Sequence, residues 1–590
     1  MFSTRFKKLK QAEQLLRQEK PKDALQELDV FDSREELEKD ERIAGKILKS
    51  NALIKIGNAE NCFEIIEEAL RESRKLDDQF LLLEASIARI YALLFSFQLS
   101  GKDTPDQLSE HLRLIEQTEQ LLIETTSLQE RERMERGAFL KRCKGFVCKT
   151  QRKQDQALQY LQESVNLYEK LEHRELTIDT RDNIVTITNG LIGQLFEEIG
   201  DNYRGMEYFK KKTELYEKTG NKHALAGSRM WLSNFYFNLG ELDPARGHAQ
   251  DNLSLCEEIQ HEMGIIFSFS YLGHVCLRKG EPDQALDYYQ KALVTCEKNE
   301  FKGMMAHALH YAGMAYISKG DLKTALDYNK KALILAREVS ATAFMGWVLH
   351  SLVVLSVDTD SLDSARDYFH QLQDVNEKVD HRLTDQLYRL AWATLLKTST
   401  RLKDKVKAQE LFRQVAEEEV YFPDWTYNAM VNYAALLLFE LRSTGDKQVL
   451  KEVKELTEKL LETAKEQGSQ PVLVETYLLQ SKLALLELDV KKAQLLLDQA
   501  QLIAEEKNLG RLARVVTLEQ DLLSSQLNKW EKIIRLNPSM SELHVLTQLD
   551  DLIERMIYKR VHRDEEALYQ YAAKAKQLLE NSMNDHYLSP

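Results

Sequence analysis

Four histidines stand close together in the middle of the chain: His274, His307, His310 and His350. Neutral imidazole is a common transition-metal ligand, and histidine is the side chain that titrates nearest neutral pH. Neither chemistry finds the partners it needs here. His261-Glu262 is followed by Met263, Gly264 and Ile265, so the two-histidine helical motif of zinc hydrolases is absent. No carboxylate or cysteine completes a ligand set around the cluster. There is no G-x-x-x-x-G-K-[ST] phosphate loop, no G-x-G-x-x-G and no G-x-S-x-G elbow. The expectation is a protein that is not an enzyme, with no catalytic residue, no cofactor and no metal. The six cysteines, Cys62, Cys143, Cys148, Cys256, Cys276 and Cys296, form no C-x-x-C pair and read as reduced thiols inside helices. One stretch, Arg131 to Lys153, is locally basic and contains Phe139 and Phe146. Interleaved bases and aromatics can hold RNA or an acidic partner. More often such a run is a solvated helix face whose aromatics point inward.

Charge narrows the partners. The formal net charge is −14, whereas a chain that grips a phosphate backbone is usually basic, so nucleic acid is not expected. The longest apolar run, around Ala434–Phe439, is far shorter than the ~18 residues a membrane helix needs. Met1–Leu16 is basic and amphipathic, without the apolar core of a signal peptide. The expected location is the cytoplasm, away from membranes.

Something must position these side chains, and at 590 residues it exceeds the ~250–300 residues at which a single core stops growing. Only eight residues are proline, and 29% are charged, a profile of amphipathic helices. Gly200, Gly240, Gly280 and Gly320 recur every forty residues. Seven residues before each stands a small residue (Gly193, Ser233, Gly273, Gly313), and five after stands another (Gly205, Ala245, Ala285, Ala325). Phe196, Tyr236 and Tyr316 lie four before, with Cys276 the exception. A fifth copy keeps Leu352 and Ala365 and replaces the glycine by Asp360. The pattern predicts two helices per unit, A and B, joined at the glycine, with paired small residues where A meets B. One pair cannot bury its own apolar stripe, so successive pairs must stack.

The segment Tyr271-Leu-Gly-His-Val-Cys-Leu-Arg-Lys-Gly280-Glu-Pro-Asp-Gln-Ala285, continued through Tyr289, Ala292 and Leu293, resembles the tetratricopeptide repeat (TPR) consensus. So does Tyr311 to Tyr316 with Gly320, Ala325, Ala332 and Leu333. The forty-residue period resembles the longer-helix subclass of that family, and Leu232-Ser-Asn234-Phe-Tyr236 resembles its Leu-Gly-Asn signature. The resemblance implies an all-α, right-handed superhelical solenoid of TPR-like pairs closed by a C-terminal helical cap. Weaker landmarks extend the repeat outward: Ala24, Gly57, Cys62, Ala69 and Ala157 before the clear copies, Ala408 and Ala493 after them, with Leu488 where the second of these pairs lacks its glycine. The expected division is degenerate repeats over 1–185, well-formed repeats over 186–380, degenerate repeats over 381–535, and a cap and tail over 536–590, beginning at the break Leu536-Asn-Pro-Ser.

The repeat register, read through the resemblance, places Met230, Asn234, Phe237, Asn238, Phe267, Ser270, His274, Arg278, His307, His310, Met314, Trp347 and His350 on the inner faces of the A helices. The implied function is a scaffold that binds a peptide or helix of another protein in this groove. The alternative is a regulatory protein that senses a ligand or peptide. If the histidines touch the partner, affinity should change between pH 7.5 and 5.5. Neither the partner nor the oligomeric state can be read from the sequence.

Overall fold

The computed structural model describes residues 5–17, 21–34, 36–55, 59–100, 104–170, 178–379, 382–418, 423–444, 446–487 and 489–536. Among these it contains α-helices, one short 3-10 turn (Lys7–Leu9) and no strand. The chain forms two compact units, Met1–Ser228 and Arg229–Pro590. The expected cap, from Asn537 onward, lies outside the described residues.

The first unit contains α1 (Lys10–Arg17), α2 (Pro21–Asp32), α3 (Lys39–Lys55), α4 (Ala59–Leu76), α5 (Gln79–Ser100), α6 (Pro105–Glu124), α7 (Glu130–Thr150), α8 (Gln154–Lys170), α9 (Ile178–Ile199), α10 (Asn202–Thr219) and the start of α11 (Lys222–Asn238). The landmark alanines Ala24, Ala69 and Ala157 are completely buried, so the degenerate units keep the close helix contact of the clear ones. The basic stretch lies on α7, and the fold uses its charges internally. Arg136 pairs with Glu84, Lys144 with Glu119 (2.7 Å), Lys149 with Glu198 (2.7 Å) and Lys141 with Glu163 (3.0 Å). Arg133 donates to the free carbonyls of Leu122 (3.0 Å) and Thr125 (3.1 Å) at the end of α6, where a cation complements the helix dipole. Phe139 and Phe146 pack against the core.

The second unit continues with α12 (Leu242–Glu258), α13 (Glu262–Lys279), α14 (Pro282–Lys298), α15 (Lys302–Lys319), α16 (Leu322–Glu338), α17 (Thr342–Asp358), α18 (Leu362–Lys378), α19 (Arg382–Lys397), α20 (Leu402–Glu417), α21 (Pro423–Thr444), α22 (Lys447–Glu466), α23 (Gln470–Leu486), α24 (Val490–Glu506) and α25 (Gly510–Leu536). Odd-numbered helices from α11 are the A helices and even-numbered ones the B helices. Ala245, Ala285, Ala325, Ala365, Ala408 and Ala493 are all completely buried at the A–B contact. The small partner on helix A is needed for the same reason. A Cβ at Gly273 would come within 2.6 Å of the Tyr289 ring.

Each A helix of the clear repeats ends as predicted. Gly280 adopts φ +78°, its N–H bonds Leu277 O (3.0 Å), and the next N–H, of Glu281, bonds Cys276 O (2.8 Å). This is a Schellman turn, which satisfies carbonyls the helix end would leave free. Asp360 repeats it at φ +56° without a glycine. The B helices α12, α14 and α16 end in the same turn at Gln260, Glu300 and Ser340, with φ between +54° and +58°. The glycine search could not find this second turn, because L-residues stand there. Their left-handed backbone costs roughly 1–2 kcal/mol each, offset by two capped carbonyls and the packing of the next helix.

The later pairs of the second unit fold back on the A–B turns of the earlier ones. Gln467 fills the space beside Gly240, where a Cβ would meet it at 2.4 Å, and Pro471 does so beside Gly280 (3.2 Å). Asn508 donates to Asp283 (2.7 Å), Arg511 pairs with Asp358 (3.0 Å), and Arg514 donates to the carbonyl of Gly320.

Candidate binding recess

The side chains singled out from the sequence stand on α11, α13, α15 and α17. Met230, Asn234, Phe267, Ser270, Met314 and His350 are partly exposed, and His307 is exposed. Its ring stacks on Phe344 at 3.7 Å between centroids. Phe237, Asn238, Arg278 and His310 are buried. These side chains therefore fall into two groups: a surface still open to a partner, and a set already engaged by the chain itself.

Arg278 is the clearest member of the second group. Its Nε and Nη2 donate to the two carboxylate oxygens of Asp424, each at 2.9 Å. Its Nη1 donates to Phe237 O, and the guanidinium lies 3.6 Å from the centre of the Phe237 ring. Trp347 meets Trp425 edge to face, with centroids 4.8 Å apart. Both partners come from the first turn of α21, 146 residues beyond Arg278 in the ion pair. Sequence reasoning had no signal for this engagement: nothing in the local pattern of Pro423-Asp424-Trp425 marks it.

The histidines form a polar and aromatic layer. His274 Nδ1 lies 2.7 Å from the Tyr289 hydroxyl, and its ring centre 3.9 Å from that of Tyr311. His310 Nδ1 lies 2.8 Å from Asn329 Oδ1, while the Asn329 amide donates to Ala325 O (2.9 Å). An amide oxygen can only accept, so His310 carries its proton on Nδ1. His350 Nε2 has no hydrogen-bond partner. Burial pushes the imidazole of His274 down to about 3, with the neighbouring charges of His307, Arg278 and His310 adding to the effect. Burial likewise brings His310 to about 4, against the Asn329 hydrogen bond, and His350 to about 4, with His310 contributing. The side chains of His274 and His350 nonetheless stay partly exposed.

These values revise the expected pH response. These three imidazoles stay neutral from pH 7.5 to 5.5, so they give no charge for an acidic partner to find in that window. Their protonation appears as stability instead. The unfolded imidazole titrates near 6.5. A depressed folded value therefore gives stability that is complete above pH 6.5 and lost as pH falls towards 4. For fully enclosed His310 the slope is roughly 1.4 kcal/mol per pH unit. Urea unfolding of the wild type and His310→Gln at pH 7 and pH 5 checks this: the wild type should lose stability on acidification, and the variant should lose less. Equal losses would remove His310 as a cause.

Among the described residues, no group of three or more His, Cys, Asp or Glu side chains could hold a metal ion. No described helix is long and apolar enough to cross a membrane.

Paired helices stacked on a forty-residue register define an α-helical repeat protein. Residues 262–338 are tetratricopeptide repeats: the family model of that description, Tetratricopeptide repeat, matches there. No curated protein matches the chain. Among solved structures, the fold is similar to that of a Rap protein complexed with competence and sporulation factor, at 16% identity, covering 71% of this chain and 99% of that one, with a TM-score of 0.41. It is also similar to the apo form of the quorum sensor NprR from B. thuringiensis, at 11% identity, covering 71% and 99%, with a TM-score of 0.44. NprR in complex with its cognate peptide NprX gives 12% identity, 64% and 99% coverage, and a TM-score of 0.44.

Proposed function

We propose that the protein is a cytoplasmic, non-enzymatic interaction scaffold whose second unit binds a peptide or helix of a partner protein along the inner faces of α11, α13, α15 and α17. One observation carries this reading. The exposed and partly exposed side chains Met230, Asn234, Phe267, Ser270, His307, Met314 and His350 are aromatic, imidazole, thioether, amide and hydroxyl groups held on helices. Asparagine and serine can bond an extended backbone without reading its side chains. Methionine adapts to varied apolar ones. Preformed helices leave little of the receptor to be ordered on binding. Six buried, free cysteines agree with a reducing compartment.

With a partner captured by affinity pull-down and identified by mass spectrometry, Asn234→Ala, Met314→Ala and His307→Ala should each weaken binding by ~1–3 kcal/mol without moving the melting transition. Titration calorimetry reads the affinity and circular dichroism the fold. Three variants that bind like wild type would remove the groove from the interface.

A second reading is a sensor of a peptide or small ligand. The contacts Arg278–Asp424 and Trp347–Trp425 favour it. They join early and late A helices of one unit, so a ligand that entered beside them would shift how those helices sit.

A further inference from the structure

Within the second unit, the contacts that join early pairs to late ones differ in kind from those between neighbouring pairs. Neighbours share apolar cores: one runs from α15 to α19, another from α19 to α23 and a third from α23 to α25. None of these three reaches from α11–α17 to α21–α25. Where early meets late, the contacts are mostly polar, beside the edge contact of Trp347 and Trp425. Asn508 donates to Asp283 at 2.7 Å, and Lys319 pairs with the same carboxylate at 2.6 Å. Arg511 reaches Asp358 at 3.0 Å, Arg514 donates to Gly320 O, and Arg278 holds Asp424. Asp283, Asp358, Asn508 and Arg514 are exposed and Arg511 partly so.

Two features show that residues here serve the junction rather than their own helix. Arg511 and Arg514 stand in the opening turns of α25, whose first turn has no acidic residue. A cation is disfavoured there by the dipole of its own helix. Each arginine meets instead a carboxylate or a helix-end carbonyl of the early pairs. Gly280 and Gly320, besides making their left-handed turns, leave room for the late pairs. A Cβ at Gly280 would lie 3.2 Å from Pro471, and one at Gly320 would lie 3.0 Å from the backbone nitrogen of Arg511. Gly220 makes a left-handed turn too, yet a Cβ there would meet nothing within 4 Å.

Solvated ion pairs hold weakly and are screened by salt, whereas apolar packing is not. A junction of this kind separates before the packed pairs on either side of it. We propose that it is an ionic latch: α21–α25 swing away from α11–α17 and return as a body, each pair staying folded, and ionic strength sets the balance. The pairs between supply the bend, because small rotations from pair to pair add up. Opening withdraws Asp424 and Trp425 from Arg278 and Trp347. The latch concerns the conformations of the unit itself; only its consequence for a partner in the groove rests on the groove reading.

Double electron–electron resonance on the full chain, with no partner added, tests the latch by itself. The native cysteines are buried, so spin labels go to cysteines introduced at exposed positions. Lys323→Cys with Glu506→Cys spans the latch, and Lys291→Cys with Lys330→Cys spans two neighbouring early pairs as the control. From about 0.1 M to about 1 M salt, the screening length falls from ~10 Å to ~3 Å. The latch distance should then gain a second population longer by about 5 Å, one helix turn, or more, while the control distance holds. Arg511→Ala combined with Arg514→Ala should show that longer population already at about 0.1 M salt. A latch distance that does not respond to salt would overturn the proposal, as would an arginine variant that stays closed. So would a control distance that lengthens alongside, since the pairs themselves would then be loosening. Should the arginine variant fail to give a native circular-dichroism spectrum, the salt series on the chain with its native arginines decides alone.

Discussion

Ala285→Glu and Ala325→Glu should each destabilise the centre of the second unit by ~3–5 kcal/mol, the scale expected when a carboxylate is buried without a partner. Both alanines are completely buried. Ala285 sits in a cluster with Cys276, Tyr289, Ala312 and Ala315, and Arg246, 3.7 Å from the Cys276 sulfur, is already paired with Glu281 at 2.7 Å. A longer side chain would also push α14 off α13 at its closest approach, where Gly273 faces Tyr289. Because successive pairs share a packed face, damage at one A–B contact spreads to the adjacent interfaces. Thermal melts should show a transition lowered by roughly 5–15 °C. Val294→Glu, on the outer face of the same helix and 56% exposed, is the control and should move it little. Melting curves for both alanine variants that overlay the control would refute the assignment of these positions to the helix interface.

The pair Arg278–Asp424 should show the second large effect, and an unequal one. Arg278 has a side chain only 2% exposed, while that of Asp424 is 46% exposed. Arg278→Ala removes the bidentate pair, the bond to Phe237 O and the guanidinium stacked on the Phe237 ring, and should cost ~3–5 kcal/mol. Asp424→Ala leaves the guanidinium enclosed with its counter-ion gone. Since solvent reaches the aspartate and takes over part of its role, the expected cost is smaller, ~1–3 kcal/mol. A double-mutant cycle by urea unfolding should return a coupling of about 1–2 kcal/mol. Strictly additive losses would mean the two residues do not support each other. The same cycle guards the binding experiments, because an Arg278 variant that loses a partner does so after losing a structural contact, unlike Asn234 or Met314.

Much of this architecture is legible from local spacing. The glycines at 240, 280 and 320, the small residues that face each other across each pair and the recurring aromatics fix helix length, the turn between A and B and the side on which the pairs stack. Each of these depends on neighbours within one repeat, so the sequence carries the whole signal. The degenerate landmarks Ala24, Ala69, Ala157, Ala408 and Ala493, all completely buried, show how far one small residue per pair can be followed. The pair α21–α22 has no such landmark: the first turns of α22 carry no small residue, and Val449 and Val453 are buried there. The turns at Gln260, Glu300 and Ser340 were also out of reach, because stacking of the next helix imposes a backbone that their residue types do not advertise.

The inner face marks the boundary between the two kinds of information. The repeat register, read through the family resemblance, assigns Asn234, His274, Arg278, His310, Trp347 and His350 to one face of the A helices. Whether such a residue meets solvent, a partner or its own chain depends on the small rotation from each pair to the next, summed over several pairs. That sum brings Asp424 and Trp425 against Arg278 and Trp347. No short window of sequence contains the accumulated angle, so the tertiary structure alone decides which inward side chains remain available for binding.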